Sequence, residues 1–232
     1  MIETILITGT NRGIGLALSR VFAQYGWQVL ACCRKPEKAK ALSALEAASE
    51  GKVKIHRLDV TDDRQIEALR RDLAGITIDI LCNNAGVGGP DNDRFGFLDE
   101  AAWLETLRVN TIAPYKIVRA LLDNVLLGRR RLIASLGSQM GSFGLNESGG
   151  YSVYRTSKAG VHMVMKSLSI DLREKGVTAV AFHPGWVRTD MGGPSATLSP
   201  EESAEGLFKT MLALTPANSG HLINYNGEQL PW

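Results

Sequence analysis

Tyr154 and Lys158 stand four residues apart in Tyr154-Arg155-Thr156-Ser157-Lys158, inside a stretch of helical character that continues to Lys175. At that spacing both side chains leave one face of a helix, one turn apart. A free phenol ionises near pH 10 and shuttles protons poorly at neutral pH. An ammonium beside it favours the phenolate, so the pairing is expected to lower the Tyr154 pKa. Bringing it to about 7 takes about 4 kcal/mol, which an ammonium together with a second positive charge in a water-poor pocket would supply. The chemistry implied is proton transfer to or from an oxygen. Y-x-x-x-K alone is common on exposed helix faces; here Ala159-Gly160 follows it, and a second motif lies far upstream.

That second motif is Thr8-Gly9-Thr10-Asn11-Arg12-Gly13-Ile14-Gly15, placed between an apolar run and a helical stretch. A tight turn needs a residue free to take positive φ, and a close approach to phosphate needs one without a Cβ. The free N–H groups of the following helix attract a pyrophosphate through their partial positive charge. Strand-turn-helix context separates such a motif from a plain glycine turn.

The elements that must position these residues follow from periodicity. Short apolar or β-branched runs near 4–8, 28–33, 53–58, 78–82, 131–135, 177–182 and 221–225 alternate with longer amphipathic stretches. Strands separated by helices imply right-handed crossovers and a parallel sheet covered on both faces. The expected fold is a single α/β domain spanning 1–232, a doubly wound parallel sheet of about seven strands. Three loose stretches, 88–96, 141–150 and 191–200, follow predicted strand ends, the edge where open parallel sheets bind ligands.

Composition narrows the function classes. The chain has 232 residues, 44% apolar, with 26 basic and 24 acidic side chains and a net charge of +2, which argues against nucleic acid as partner. No apolar run is long enough for a bilayer, and MIETILITGT lacks a basic n-region and cleavage site. Cys32, Cys33 and Cys82 form neither a disulfide framework nor a zinc spacing, so they read as reduced thiols packed in strands, and no metal is expected. A cytoplasmic protein is the expectation. Glycine is in excess, 24 residues.

The turn has the form T-G-x-x-x-G-x-G, which resembles the short-chain dehydrogenase/reductase family. The resemblance covers essentially the entire chain. In detail the TGTNRGIG turn with CRKPEK, the GSFGLNESGGYSVYRTSKAG run, HPGWVRTDMGG and YNGEQLPW look closest to its C-factor-like and sniffer-type carbonyl reductase branch. It implies a Rossmann-like sheet carrying a nicotinamide dinucleotide, with Gly9, Asn11, Arg12, Gly13, Ile14 and Gly15 at the phosphates. Asp59-Val60 matches the family's adenine contact, and Asn83-Asn84-Ala85-Gly86 its NNAG motif, placing Asn84, Ala85 and Gly86 beside the cofactor. Pro184-Gly185, Val187 and Thr189 match the segment that holds the nicotinamide carboxamide, and Lys158 the residue that also binds the ribose. His183, before a proline at a strand end, reads as structural.

Three serines, Ser135, Ser138 and Ser142, could partner Tyr154. The family's serine precedes a glycine by three residues, which favours Ser138, although its 16-residue distance from Tyr154 exceeds the usual spacing and leaves Ser142 open. Ser138 would hold the substrate oxygen beside Tyr154 as a small oxyanion hole. Asn110, in Val109-Asn110-Thr111, matches the asparagine that kinks the long fourth helix and supports a water chain to the lysine.

Cofactor choice can be read from the second strand. NAD-selective sites place an acid at its end, about 20 residues past the glycines. Here stands Arg34, with Lys35 and Lys38 near and Arg12 inside the turn, a set that favours the 2′-phosphate of NADP(H) over NAD(H). The expected activity is reduction of a small-molecule ketone or aldehyde, with Asn110, Ser138, Tyr154 and Lys158 as the catalytic set. The rival is a dinucleotide-binding signalling protein with incidental catalysis. A sugar-nucleotide epimerase ranks last, since too few residues follow strand six. The family implies a homodimer or homotetramer through helices near 99–127 and 152–175.

Overall fold

The computed structural model describes residues 2–90, 95–96 and 98–232, so Asp91 to Arg94 of the first loose stretch lie outside the described residues. The apolar runs become strands β1 (Thr4–Thr8), β2 (Gln28–Cys33), β3 (Val53–Arg57), β4 (Ile80–Asn83), β5 (Leu132–Leu136), β6 (Thr178–His183) and β7 (Leu222–Asn224). All seven pair in parallel, in the order β3-β2-β1-β4-β5-β6-β7. An eighth, β8 (Gln229–Leu230), adds antiparallel to the β7 edge. It is two residues long, too short to leave a periodic signal.

Helices α1 (Gly13–Gln24), α2 (Lys40–Ala48), α3 (Asp63–Asp72), α4 (Glu100–Leu107), α5 (Ala113–Leu126), α6 (Ser152–Asp171) and α7 (Pro200–Ala213) cover the two faces. One apolar layer sets Leu18, Phe22, Leu207 and Phe208 of α1 and α7 against Ile5, Ile7, Ala134 and Phe182. The other sets Ile66, Ile117, Leu121, Val161 and Met165 of α3, α5 and α6 against Leu6, Leu81, Ile133 and Ala181. β1 and β5 are buried along their whole length, the pattern of strands covered on both faces. Cys32, Cys33 and Cys82 are free and buried in β2 and β4, where burial raises their pKa values.

Two expectations about helices change in detail. The long helix near 99–127 is interrupted by one π turn over Arg108–Ile112, so α4 and α5 are separate α segments. The helix after Tyr154 ends as α-helix at Asp171 and finishes in a 3₁₀ turn at Arg173–Lys175.

Candidate active site

Strand order reverses between β1 and β4, and the C-terminal ends of β1, β4, β5 and β6 open onto one edge. The glycine turn leaves β1 there. Gly9 has φ +73°, and a Cβ on it would lie 2.8 Å from the Ala85 Cα, so the turn and the NNAG segment touch backbone to backbone. A Cβ on Gly15 would fall 2.3 Å from the Gly9 carbonyl oxygen and 2.4 Å from Asn84 Nδ2. Gly13 opens α1, and Arg12 before it is extended and caps nothing with its side chain. The first amides of α1 therefore receive no side-chain cap, the geometry that suits an anionic ligand. A dinucleotide pyrophosphate fits this cradle.

Asn84 ties the edge together. Its Nδ2 donates to the carbonyls of Thr8 (2.7 Å) and Gly9 (3.0 Å), while the amides of Asn84 and Ala85 both donate to Thr8 Oγ1 at 3.1 Å. Asn83 reaches Ser135 Oγ at 3.4 Å, which commits Ser135 to the sheet. Gly86 is exposed; a Cβ there would stand 3.2 Å from Asn110 Oδ1 and 3.7 Å from Lys158 Nζ.

Asn110 sits in the middle of the π turn and is 2% exposed. Its Oδ1 accepts from the Val87 amide at 2.9 Å, and its Nδ2 donates to the Val87 carbonyl and to Ser157 Oγ, each at 2.9 Å. A π turn inserts one residue into a helix and frees a position from the i→i+4 ladder, a device frequent at functional sites. Here it turns an asparagine toward the segment that leaves β4.

Ser138 follows β5 and is buried; its Oγ accepts from the Met140 amide at 3.1 Å and lies close enough to the Tyr154 phenol to pull its pKa down. Ser142 Oγ instead accepts from the Leu145 amide at 3.2 Å. Of the three serines, the structure brings Ser138 to Tyr154. Lys158 lies one turn along α6, with Nζ 5.6 Å from the centroid of the Tyr154 ring and donating to the Leu136 carbonyl at 2.7 Å.

Lys158 by itself does not lower the pKa of the half-buried Tyr154. Burial pushes it up to about 12, and the Ser138 hydroxyl offsets only part of the rise. Burial also pushes Lys158 down, to about 8. Taking both charged forms out of water outweighs their attraction in this geometry, with the ammonium directed at a carbonyl rather than at the phenol oxygen.

The segment after β6 is firmer than its composition implies. Arg188 N donates to the Leu198 carbonyl at 2.8 Å and Leu198 N to the Trp186 carbonyl at 3.0 Å, closing 186–198 into a loop. Trp186 Nε1 reaches the Gly192 carbonyl at 2.8 Å and the Pro184 carbonyl accepts from Ser203 Oγ at 2.6 Å. Gly185 has φ +83°, where other residues are strained, and a Cβ there would also press on Leu198 and Tyr225 at 2.3 and 3.1 Å. Val187 is buried, while Thr189 stands 3.2 Å from where a Gly13 Cβ would be. Beside it Asp190 forms an ion pair with Arg12 across the mouth of the turn.

The remaining expected residues lie around the same edge. Asn11 and Arg34 are exposed and Ile14 packs against the core. Asp59 Oδ1 accepts from the amide and hydroxyl of Thr61, at 2.9 and 2.7 Å, and Val60 is buried, so both also shape the turn after β3. Two residues went unread in the sequence. Ser157 is completely buried and anchors Asn110; His162, a turn beyond Lys158, accepts a hydrogen bond from the Ser138 amide. Both sit at helix-interior positions with no signal beyond their place on the Tyr154 face.

Comparison with known proteins places these features in context. The short chain dehydrogenase family model matches residues 3–198. The C-signal protein of Myxococcus xanthus is 41% identical over 155 residues, 67% of this chain and 93% of that protein. The carbonyl reductase Sniffer of D. melanogaster superposes with a TM-score of 0.93 at 33% identity, covering 100% of both chains. An NADPH-bound carbonyl reductase from chicken fatty liver gives 0.91 at 31%, covering 100% of this chain and 99% of the other.

Proposed function

The chain belongs to the short-chain dehydrogenase family, and we propose that it is an NADP(H)-dependent reductase of ketones or aldehydes, the whole chain acting as one cofactor-binding unit. One observation carries the reading: the Tyr154 phenol, the Ser138 hydroxyl and the Lys158 ammonium converge beside an uncapped helix start at the sheet's switch point. NADP-bound carbonyl reductases of the same fold support the choice of cofactor.

The residues would act as follows. Gly9, Gly13, Gly15 and the first amides of α1 hold the pyrophosphate. Arg34 and Arg12 offer guanidinium groups to a 2′-phosphate, for which Arg12 exchanges its Asp190 partner. Asp59 and Val60 border the adenine, Asn84, Ala85 and Gly86 the ribose, and Pro184, Gly185, Val187 and Thr189 the carboxamide. When bound, the cofactor supplies the hydride.

Ser138 Oγ donates to the carbonyl oxygen of the substrate and orients it beside Tyr154. Tyr154 gives that oxygen its proton. A phenol pKa pushed up to about 12 keeps Tyr154 protonated at neutral pH, the form that reduction requires. Lys158 places a cation behind the phenol to stabilise the tyrosinate that follows. Asn110 holds the exit of β4 against α6, so that the lysine and the cofactor ledge keep their spacing.

Exposed Phe143, Leu145, Tyr151, Trp186 and Met191 border the site and favour an apolar carbonyl of small to medium size. Exposed Leu104, Ile112, Tyr115, Met163 and Ile170 on α4, the π turn, α5 and α6 support a homodimer or homotetramer, which sedimentation tests. For the activity, NADPH oxidation is measured with a panel of dicarbonyls and quinones against Tyr154→Phe. Equal rates for the two proteins overturn the assignment.

Similarity to the C-signal protein favours a second reading, a signalling protein that needs the dinucleotide but not turnover. Full biological effect from Tyr154→Phe together with loss from Arg12 and Arg34 variants would decide for it.

A further inference from the structure

His162 lies eight residues beyond Tyr154 and four beyond Lys158 on α6, on the face that carries both. It is 3% exposed. Its Nε2 accepts a hydrogen bond from the Ser138 backbone amide at 3.3 Å. An imidazole that accepts at Nε2 is neutral and carries its proton on Nδ1. That Nδ1 is turned toward the Gly141 carbonyl without forming a proper hydrogen bond to it. Burial and the Lys158 charge hold the ring's pKa down at about 3, so it stays an acceptor across the working range.

The loop is shaped around this ring. A Cβ on Gly137 would lie 2.4 Å from Nε2 and 2.8 Å from Cδ2, and one on Gly141 would lie 2.8 Å from Cε1. The glycines on either side of Ser138 thus make room for one imidazole. Its outer side is covered by Trp232, whose ring centroid is 5.3 Å away, and the Trp232 carbonyl accepts from the Gly144 amide at 3.0 Å.

We infer that His162 is a positioning residue: it holds the Ser138 amide so that the Ser138 hydroxyl faces Tyr154. The inference rests on the reading of Ser138 as the donor to the substrate oxygen. His162 is buried and acts through the serine.

The test compares His162→Leu, His162→Met and His162→Gln. Leucine and methionine fill volume without an acceptor, and methionine adapts to the ring's space if leucine destabilises the chain. Glutamine sets Oε1 near the place of Nε2 and restores the acceptor. The expected result is a kcat lower by about 10- to 100-fold in the Leu and Met variants, with KM for NADPH unchanged, and recovery to within about 3-fold in the Gln variant. Amide hydrogen exchange over residues 137–140 is expected to quicken in the Leu and Met variants and to slow again in the Gln variant. Wild-type kcat and exchange in both apolar variants would overturn the inference, as would equal losses in all three. If the wild-type protein reduces no carbonyl, the proposed function fails, and exchange alone decides whether His162 holds Ser138.

Discussion

Asn110 Nδ2 donates to Ser157 Oγ at 2.9 Å, and this bond joins the π turn to α6 one residue before Lys158. The Ser157 hydroxyl in turn donates a hydrogen bond to the Tyr154 carbonyl at 2.7 Å, so Asn110, Ser157 and Tyr154 form one chain of bonds. Through Oδ1 and Nδ2 the same asparagine also holds both backbone groups of Val87.

Asn110→Ala is expected to strip partners from three part-buried or buried groups at once. Of these only Ser157 is out of reach of water, so at about 1 to 3 kcal/mol for such an unsatisfied group a loss of about 1 to 3 kcal/mol follows. Urea unfolding measures it, and kcat should fall with it because the ledge beside Lys158 loosens. A loss below about 1 kcal/mol would show that water replaces the asparagine without penalty.

Tyr154→Phe removes one oxygen from the site. Proton donation by a positioned group is worth about 10²- to 10⁴-fold, so kcat should drop by that factor. NADPH affinity, read by quenching of protein fluorescence, should stay within about 3-fold because the phosphate cradle and Arg34 are untouched. A parallel loss of affinity would mean that the tyrosine binds rather than reacts.

Lys158 loses its proton as pH passes about 8, since burial lowers its pKa from the ordinary value of 10.5. Its cationic form is therefore complete below that pH and lost above it. The rate of carbonyl reduction at saturating substrate is expected to be flat through neutral pH and to decline above about 8. Tyr154 contributes no fall there, because its phenol stays protonated up to about 12. A profile that stays level to pH 10 would exclude the lysine charge from the reaction.

Arg34→Glu should separate the two nicotinamide cofactors. Hydrogen bonds to charged groups contribute about 1.5 to 3 kcal/mol, so KM for NADPH should rise about 10- to 100-fold while KM for NADH changes little. Arg34 is exposed and its side chain is not part of the core, so the melting temperature should hold. Equal shifts for both cofactors would place the arginine elsewhere than the 2′-phosphate.

His162 and His183 are buried, and burial together with the Lys158 charge lowers their pKa values from 6.5 to about 3 and about 4. The unfolded chain takes up protons at these residues near pH 6.5, and the folded chain does so only near the lower values. Their contribution to stability is complete above 6.5 and is lost as pH falls toward 4. Each costs about 1.4 kcal/mol per pH unit over that window. Urea midpoints measured from pH 7 to 5 should fall steeply, and His183→Gln should flatten the slope by about one proton.

The sequence by itself determined the sheet and the ligand edge. Runs such as Thr4–Thr8 and Leu132–Leu136 are mostly apolar or β-branched with no alternating polar face, so a strand covered on both faces satisfies them, and the glycine turn has one workable place after such a strand. Tyr154 and Lys158 were legible because i, i+4 spacing is a property of the helix alone. Tertiary structure decided what depends on groups distant in the chain. It selected Ser138 over Ser142, because which hydroxyl meets Tyr154 depends on how the loop after β5 folds onto α6. It kept Lys158 alone from lowering the Tyr154 pKa, because desolvation is set by packing and not by spacing. It assigned Gly185 to Leu198 and Tyr225, and Gly137 to His162, contacts that spacing along the chain cannot express.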